Sequence, residues 1–350
     1  MLTPHPALTQ GRSVLSQSSI DRTNAPTLSV VIPTYNEAKN IQQLMARLVP
    51  ILDAQNITYE IILVDDGSVD DTCTRISSYI GKVDGLKLVR FSRNFGKEAA
   101  LNAGLAHAAG DAVMQLDADL QHPPEIIPDF IGKWRDGADI VYGARKSRSG
   151  ESFLRRTLAK SFYSVFATIS QVKLMEGLGD FLLIDRKVVD ALLLLPERER
   201  FTKGLYAWVG FSRVAVPFEV APRAHGQSRW SIAKLTNFAM DAITAFGSLP
   251  LKVWTYVGLF LAIPSVAFGV FIMLRTLILG SDVPGYASLM VAICLFSGVQ
   301  LLGLGIIGEY LSRVLTEVKQ RPLYLVQEKL GFDTLEEENH PTGKVRKIAS

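Results

Sequence analysis

Cysteine is almost missing from this 350-residue chain: Cys73 and Cys294 are the only two. They stand far apart and outside any CxxC spacing, which excludes a disulfide framework and a cysteine-based zinc site. A dominant charge sign is missing too, since 37 Lys and Arg face 34 Asp and Glu for a formal charge of +3. Nucleic-acid binders, acidic-tail proteins and disordered chains carry a stronger bias, so no nucleic-acid partner is expected. No repeat of solenoid period runs through the sequence. Residues 1–26 are rich in Ser, Thr, Pro and Gln and lack a long apolar stretch. They suit neither a secretory signal peptide nor a packed element, and read as a disordered extension ahead of a cytosolic domain.

Long apolar runs are present, and both are C-terminal. Lys252 and Arg275 bracket 22 uncharged residues, and Asp282 and Glu309 bracket 26 more. Each exceeds the ~20 helical residues that cross a hydrocarbon core. Transmembrane helices are expected at 253–279 and 287–310, with a connector at 280–286. The alternative, two buried core helices of a soluble protein, suits such lengths poorly. Arg223, Arg229, Lys234 and Lys252 precede the first run and Arg313, Lys319, Arg321 and Lys329 follow the second, whereas the connector carries only Asp282. By the positive-inside rule both ends face the cytosol. The expected protein is a multi-pass one of the cytoplasmic membrane, with a cytosolic tail at 311–350.

Ahead of the spans, at 27–222, the pattern is strand, turn, helix, repeated. Leu28–Ile32, Glu60–Val64, Leu86–Phe91, Ala112–Leu116 and Asp139–Tyr142 are short apolar runs, and an amphipathic stretch covers Glu37 to Asp53. This alternation predicts an α/β domain with a mostly parallel sheet, whose ligands sit beyond the carboxyl ends of the strands. Two further stretches, 151–170 and 231–247, place apolar residues at helical spacing. They read either as amphipathic helices in the headgroup plane or as helices packed on the sheet. Residues 223–252 form an acceptor loop and juxtamembrane helix in this reading.

The strand ends are loaded with acids. Asp65 and Asp66 follow the second strand, and Asp117-Ala118-Asp119 follows the fourth. Two carboxylates at i and i+2 can face one hard cation such as Mg²⁺, which uses one or two carboxylates plus substrate phosphates. Such acids also serve as turn and helix-cap residues, a role open to at least one of Asp65 and Asp66.

Pro33-Thr34-Tyr35-Asn36-Glu37, Asp65-Asp66-Gly67-Ser68-Val69-Asp70-Asp71-Thr72, and Asp117-Ala118-Asp119-Leu120-Gln121 followed by Pro123-Pro124-Glu125 occur in this order. In order and spacing they resemble the family 2 glycosyltransferases of the GT-A fold. Arg93-Asn94-Phe95-Gly96-Lys97-Glu98-Ala99-Ala100, Gly179-Asp180-Phe181, Ile184-Asp185-Arg186 and 223–230 narrow the likeness. With the two spans, the chain is similar to polyisoprenyl-phosphate glycosyltransferases, most of all the bactoprenol type and more distantly the dolichol-phosphate mannose synthases. The resemblance implies a nucleotide-sugar donor, a polyisoprenyl-phosphate acceptor, a lipid bilayer and a homo-oligomer, a tetramer. It gives Asp66 the donor base, with Pro33, Tyr35 and Glu37 shaping that pocket. Asp117 and Asp119 take Mg²⁺ or Mn²⁺ on the diphosphate, Gln121 places the sugar, and Asp180 takes the position often called the catalytic base.

A lipid monophosphate, with a second pKa of about 6, is already anionic at neutral pH and needs no base. Asp180 then orients the acceptor or a metal instead. The acceptor phosphate must be offset by cations, for which Arg145, Arg155, Arg156, Arg223 and Arg229 are the candidates, guanidinium forks matching phosphate geometry. The pattern has departures: Arg229 stands where relatives commonly have Lys, and Leu182 where many have Arg. Gln227-Ser228-Arg229-Trp230 is one residue short of the QxxRW signature of processive synthases, which implies transfer of a single sugar. The expected reaction is inverting transfer of glucose from UDP-glucose to undecaprenyl phosphate. Its rivals are another donor, GDP-mannose or a UDP-amino sugar, and a non-catalytic scaffold or translocation subunit.

Overall fold

The structure, a computed structural model, describes residues 27–145, 179–198, 200, 202–219, 249–279 and 285–332. The expected strands form: β1 Thr27–Thr34, β2 Thr58–Asp65, β3 Leu86–Phe91, β4 Ala112–Gln115 and β5 Ile140–Arg145. Three more join them, β6 Leu182–Asp185, β7 Arg213–Phe218 and β8 Val326–Leu330. The sheet order is β7-β5-β6-β4-β1-β2-β3-β8. Its centre, β4-β1-β2-β3, is parallel throughout, while β6 and β8 run antiparallel to their neighbours.

Both faces of the centre are covered, which is why these strands read as unbroken apolar runs. Val30, Ile32, Ile61 and Leu63 point to one side and Val31, Ile62 and Val64 to the other, the period-2 alternation of a strand. The first side is covered by α1 Ala38–Asp53, α2 Thr72–Ser77 and α4 Ile127–Arg135; α1 buries Ile41, Leu44, Met45, Leu48 and Leu52 as one stripe. The second side takes α3 Lys97–His107, α5 Arg186–Leu193 and α6 Thr202–Trp208. Helix α3 is built from small residues so that it can lie close to the sheet. A Cβ on Gly104 would overlap the Val31 side chain.

The two apolar runs are α7 Leu249–Leu279 and α8 Tyr286–Lys319. Within them Val253–Ile272 and Leu295–Lys319 are long and apolar enough to cross a membrane, and almost none of either stretch is buried. Gly303 admits the Trp254 indole where the two helices approach.

Within the stretch read from the sequence as a tail, residues 311–332 are described and carry a helix end and a strand. Helix α8 continues to Lys319, and β8 then pairs with β3, closing an edge that would otherwise expose unpaired backbone groups. Tyr324 stacks on Phe91 at 4.8 Å, and Ser92 donates its backbone N–H to Leu325 O. Arg198 ties the end of α8 to the domain: its backbone N–H donates to Glu317 Oε1 at 2.7 Å and its Nε to Arg321 O at 2.8 Å. The stretches 151–170 and 231–247, with Arg155, Arg156, Arg223 and Arg229, lie outside the described residues.

Candidate functional site

Parallel pairing brings the loaded turns to one edge. Thr34 at the end of β1 pairs with Asp65 at the end of β2, and Val31 pairs with Gln115, two residues before Asp117. The first two turns are laced together: Asn36 donates its backbone N–H to Ser68 Oγ, and Glu37 donates its own to Thr72 Oγ1. Asn36, at φ 55, bends β1 toward α1, and its side-chain oxygen accepts from Val69 N. Tyr35, 45% exposed, sits beside this junction with an open ring face.

Asp65 and Asp66 divide their labour. Asp65 is fully buried, accepts from Ser68 N at 3.4 Å and faces Arg90 Nε at 3.8 Å. It closes its own turn. Asp66 reaches instead to the turn after β3, accepting from Phe95 N at 2.7 Å and Gly96 N at 3.0 Å. Desolvation raises the pKa of Asp66 even against those two donors. Gly67, at φ 66, has the same turn pressed against it, since a Cβ there would collide with the Arg93 backbone. The carboxylate of Asp66 is thus oriented by the Arg93–Gly96 segment, and Arg93 itself lies over the Phe95 ring.

The second cluster follows from antiparallel pairing. Gln115 of β4 pairs with Leu182 of β6, so the chain leaving β4 meets the chain entering β6, and Asp117 comes beside Asp180. Lys97, in the first turn of α3, lies between them, with Nζ 2.6 Å from Asp117 Oδ1 and 2.6 Å from Asp180 Oδ2. Desolvation pulls Lys97 down, but the two carboxylates outweigh it and raise its pKa. Desolvation likewise opposes the charge on Asp180, yet Lys97 holds that carboxyl below its ordinary value. Beside Lys97, desolvation and then the Asp180 charge push Glu98 up to about 7.

His122 forms the floor of this cluster. Its ring is buried, stacked on Phe181 at 4.9 Å, and its Nδ1 lies 3.8 Å from Asp117 Oδ2. Burial lowers its pKa, while the nearby Asp117 charge acts to raise it. Leu120, at φ 60 with its side chain buried, makes the sharp turn after Asp119, and Gln121 N donates to Asp119 Oδ1 at 3.1 Å. Arg145 ends β5 at this same edge, because β5 and β4 both run antiparallel to β6.

Asp117 and Asp119 offer only carboxylate oxygens, the donor type that suits Mg²⁺ or Mn²⁺. Among the described residues no three His, Cys, Asp or Glu side chains form a group able to hold a metal ion. Substrate phosphates would have to complete the shell.

The model for "Glycosyl transferase family 2" matches residues 29–193, the segment that carries every acid of this edge. An uncharacterized glycosyltransferase of Synechocystis is 52% identical over 308 residues, 88% of this chain and 97% of that protein. The chain belongs to glycosyl transferase family 2. A prophage-derived bactoprenol glucosyl transferase of Shigella flexneri is 42% identical over 300 residues, 86% of this chain and 97% of its own length. A glucosyl-3-phosphoglycerate synthase structure from Mycobacterium tuberculosis, crystallised with Mn²⁺ and UDP-glucose, aligns at 24% identity and TM-score 0.45, covering 64% of this chain and 79% of that one.

Of the residues singled out in the sequence of this glycosyltransferase, Asp117 and Asp180 meet at Lys97, and Asp119 and Gln121 share the turn that follows Asp117. Pro33, Tyr35, Glu37 and Asp66 gather at the neighbouring turns. Lys97 stands in the Arg93–Ala100 motif, to which the sequence alone assigns no role. His122, three residues after Asp119, is brought beside Asp117 by the sharp turn at Leu120.

Proposed function

We propose that this glycosyltransferase moves one glucose from UDP-glucose to undecaprenyl phosphate at the cytoplasmic face of a membrane. The observation that carries the reading is the Asp117–Lys97–Asp180 cluster beside the Asp66 turn, in a chain that also bears two apolar helices. The bactoprenol glucosyl transferase at 42% identity supports the acceptor class. Lys and Arg flanking both apolar runs support cytosolic termini and a cytosolic catalytic domain.

In this reading Asp66 and the Tyr35 ring hold the donor base, and Gln121 orients the sugar. Asp117 and Asp119 would hold a divalent cation, which when bound neutralises charge on the departing diphosphate. An acceptor phosphate oxygen attacks the anomeric carbon from the face opposite UDP. The new C–O bond forms as the bond to the diphosphate oxygen breaks, and UDP leaves with that electron pair. Asp180, held ionised by Lys97, orients the approach and removes no proton. Arg145, Arg155, Arg156, Arg223 and Arg229 offset the charge of the acceptor phosphate, with Arg223 and Arg229 bracketing a Gly226- and Ser228-containing loop.

A panel of radiolabelled nucleotide sugars offered to purified membranes with undecaprenyl phosphate tests the reading. UDP-glucose is expected to label the lipid, and labelling from GDP-mannose or a UDP-amino sugar alone would overturn the donor assignment. Asp180→Asn is expected to lower the rate at every pH without changing the shape of the pH–rate profile, since the native carboxyl stays ionised across the neutral range. Loss of a titrating limb in that variant would restore a base. Removing Arg223 and Arg229 together is expected to raise the KM for the lipid phosphate more than that for the nucleotide sugar.

A further inference from the structure

Lys97 enters the chemistry just described only by holding Asp180 ionised, yet it makes the closest charged contacts of the site. Its ammonium sits 2.6 Å from Asp117 Oδ1 and 2.6 Å from Asp180 Oδ2, while Asp117 Oδ2 faces the buried His122 Nδ1 at 3.8 Å. A divalent cation binds carboxylate oxygen at roughly 2.0–2.1 Å. It cannot share Asp117 Oδ1 with an ammonium already in hydrogen-bond contact, because two positive centres would then lie within a few ångströms of each other. Helix α3 gives Lys97 little freedom to withdraw, since Ala99, Ala100, Leu101 and Ala103 are buried against the sheet and Gly104 abuts Val31. The side chain can move only by swinging about its own torsions. A nucleotide diphosphate arriving with its cation supplies both a reason and a destination: the cation takes Asp117, and the phosphate oxygens offer the ammonium a new anionic partner.

We propose that Lys97 is a resident counter-cation that holds Asp117 and Asp180 together in the substrate-free protein. It excludes the free divalent cation, so that the metal enters only as its complex with the nucleotide diphosphate. Lys97 is in these terms a positioning residue that sets the order of binding. The proposal rests on the assignment of Asp117 and Asp119 as metal carriers. It accounts for a site in which Asp117 and Asp180 meet one ammonium but no metal shell is assembled from the described residues alone.

Binding of Mn²⁺ to the full-length protein in detergent, followed by the electron paramagnetic resonance of free Mn²⁺, tests this with and without UDP. The parent protein is expected to bind Mn²⁺ weakly alone and far more tightly with UDP. Lys97→Met and Lys97→Gln, each first checked for retained UDP binding, are expected to bind Mn²⁺ alone roughly tenfold more tightly or better, because a unit positive charge has left the site. Lys97→Arg keeps the charge and is expected to stay as weak as the parent. Neutral variants no tighter than the parent, or an Arg variant as tight as Met, would overturn the proposal. Asp117→Asn separates the two layers of inference: if it leaves Mn²⁺ binding in the presence of UDP unchanged, the metal assignment itself fails.

Discussion

Asp117→Asn and Asp119→Asn are each expected to lower sugar transfer by about 10²-fold or more, the scale on which a preorganised charge at a reacting centre acts. Membranes purified from each variant, assayed with saturating UDP-glucose and lipid phosphate, give the measurement. The two variants should differ in their side effects. Asp117 is paired with Lys97 and lies beside His122, so its loss also frees the ammonium that holds Asp180. Asp119 accepts the Gln121 backbone N–H, so its loss loosens the turn that carries Gln121. Neither residue belongs to the apolar core. Heat unfolding should therefore shift little in either case, and a variant that keeps near-parental transfer would remove its acid from the metal role.

Ending the chain after Gln320 is expected to lower the unfolding temperature of the catalytic domain by about 10 °C. The cut removes β8, the Tyr324 ring stacked on Phe91 and the Arg321 carbonyl that accepts from Arg198. Burying an aromatic side chain contributes roughly 2–3 kcal/mol and a stacked pair about 1 kcal/mol more. In a domain of this size each kcal/mol corresponds to about 2–4 °C. Tyr324→Ala should reproduce a large part of the loss without touching the β8 backbone. A truncated protein that melts with the parent would mean that β8 adds nothing to the sheet.

The central strands were legible because burial on both faces forces continuous apolar runs, and Val30-Val31-Ile32 and Ile61-Ile62-Leu63 have no other use. The acids were legible because Asp66, Asp117 and Asp119 stand where those runs stop. Strands β6 to β8 were not, each for a local reason. Leu182–Asp185 is four residues long, and Arg213–Phe218 carries Pro217, a residue confined to edges and bulges. Val326–Leu330 has a polar centre, Gln327-Glu328-Lys329, and becomes a strand only because β3 offers it a partner. Lys97 was hidden for a similar reason. Its partners are 20 and 83 positions away, and only the antiparallel entry of β6 brings Asp180 within reach.

Because β8 follows both apolar helices in the chain, β3 gains its last partner only after α7 and α8 have been made. Until then β3 has one edge bare, and the Phe91 ring lacks Tyr324. The two apolar helices and the finished sheet edge are thereby made in sequence. A chain that stops short of Val326 leaves a sheet with an open edge, ready to pair with another strand.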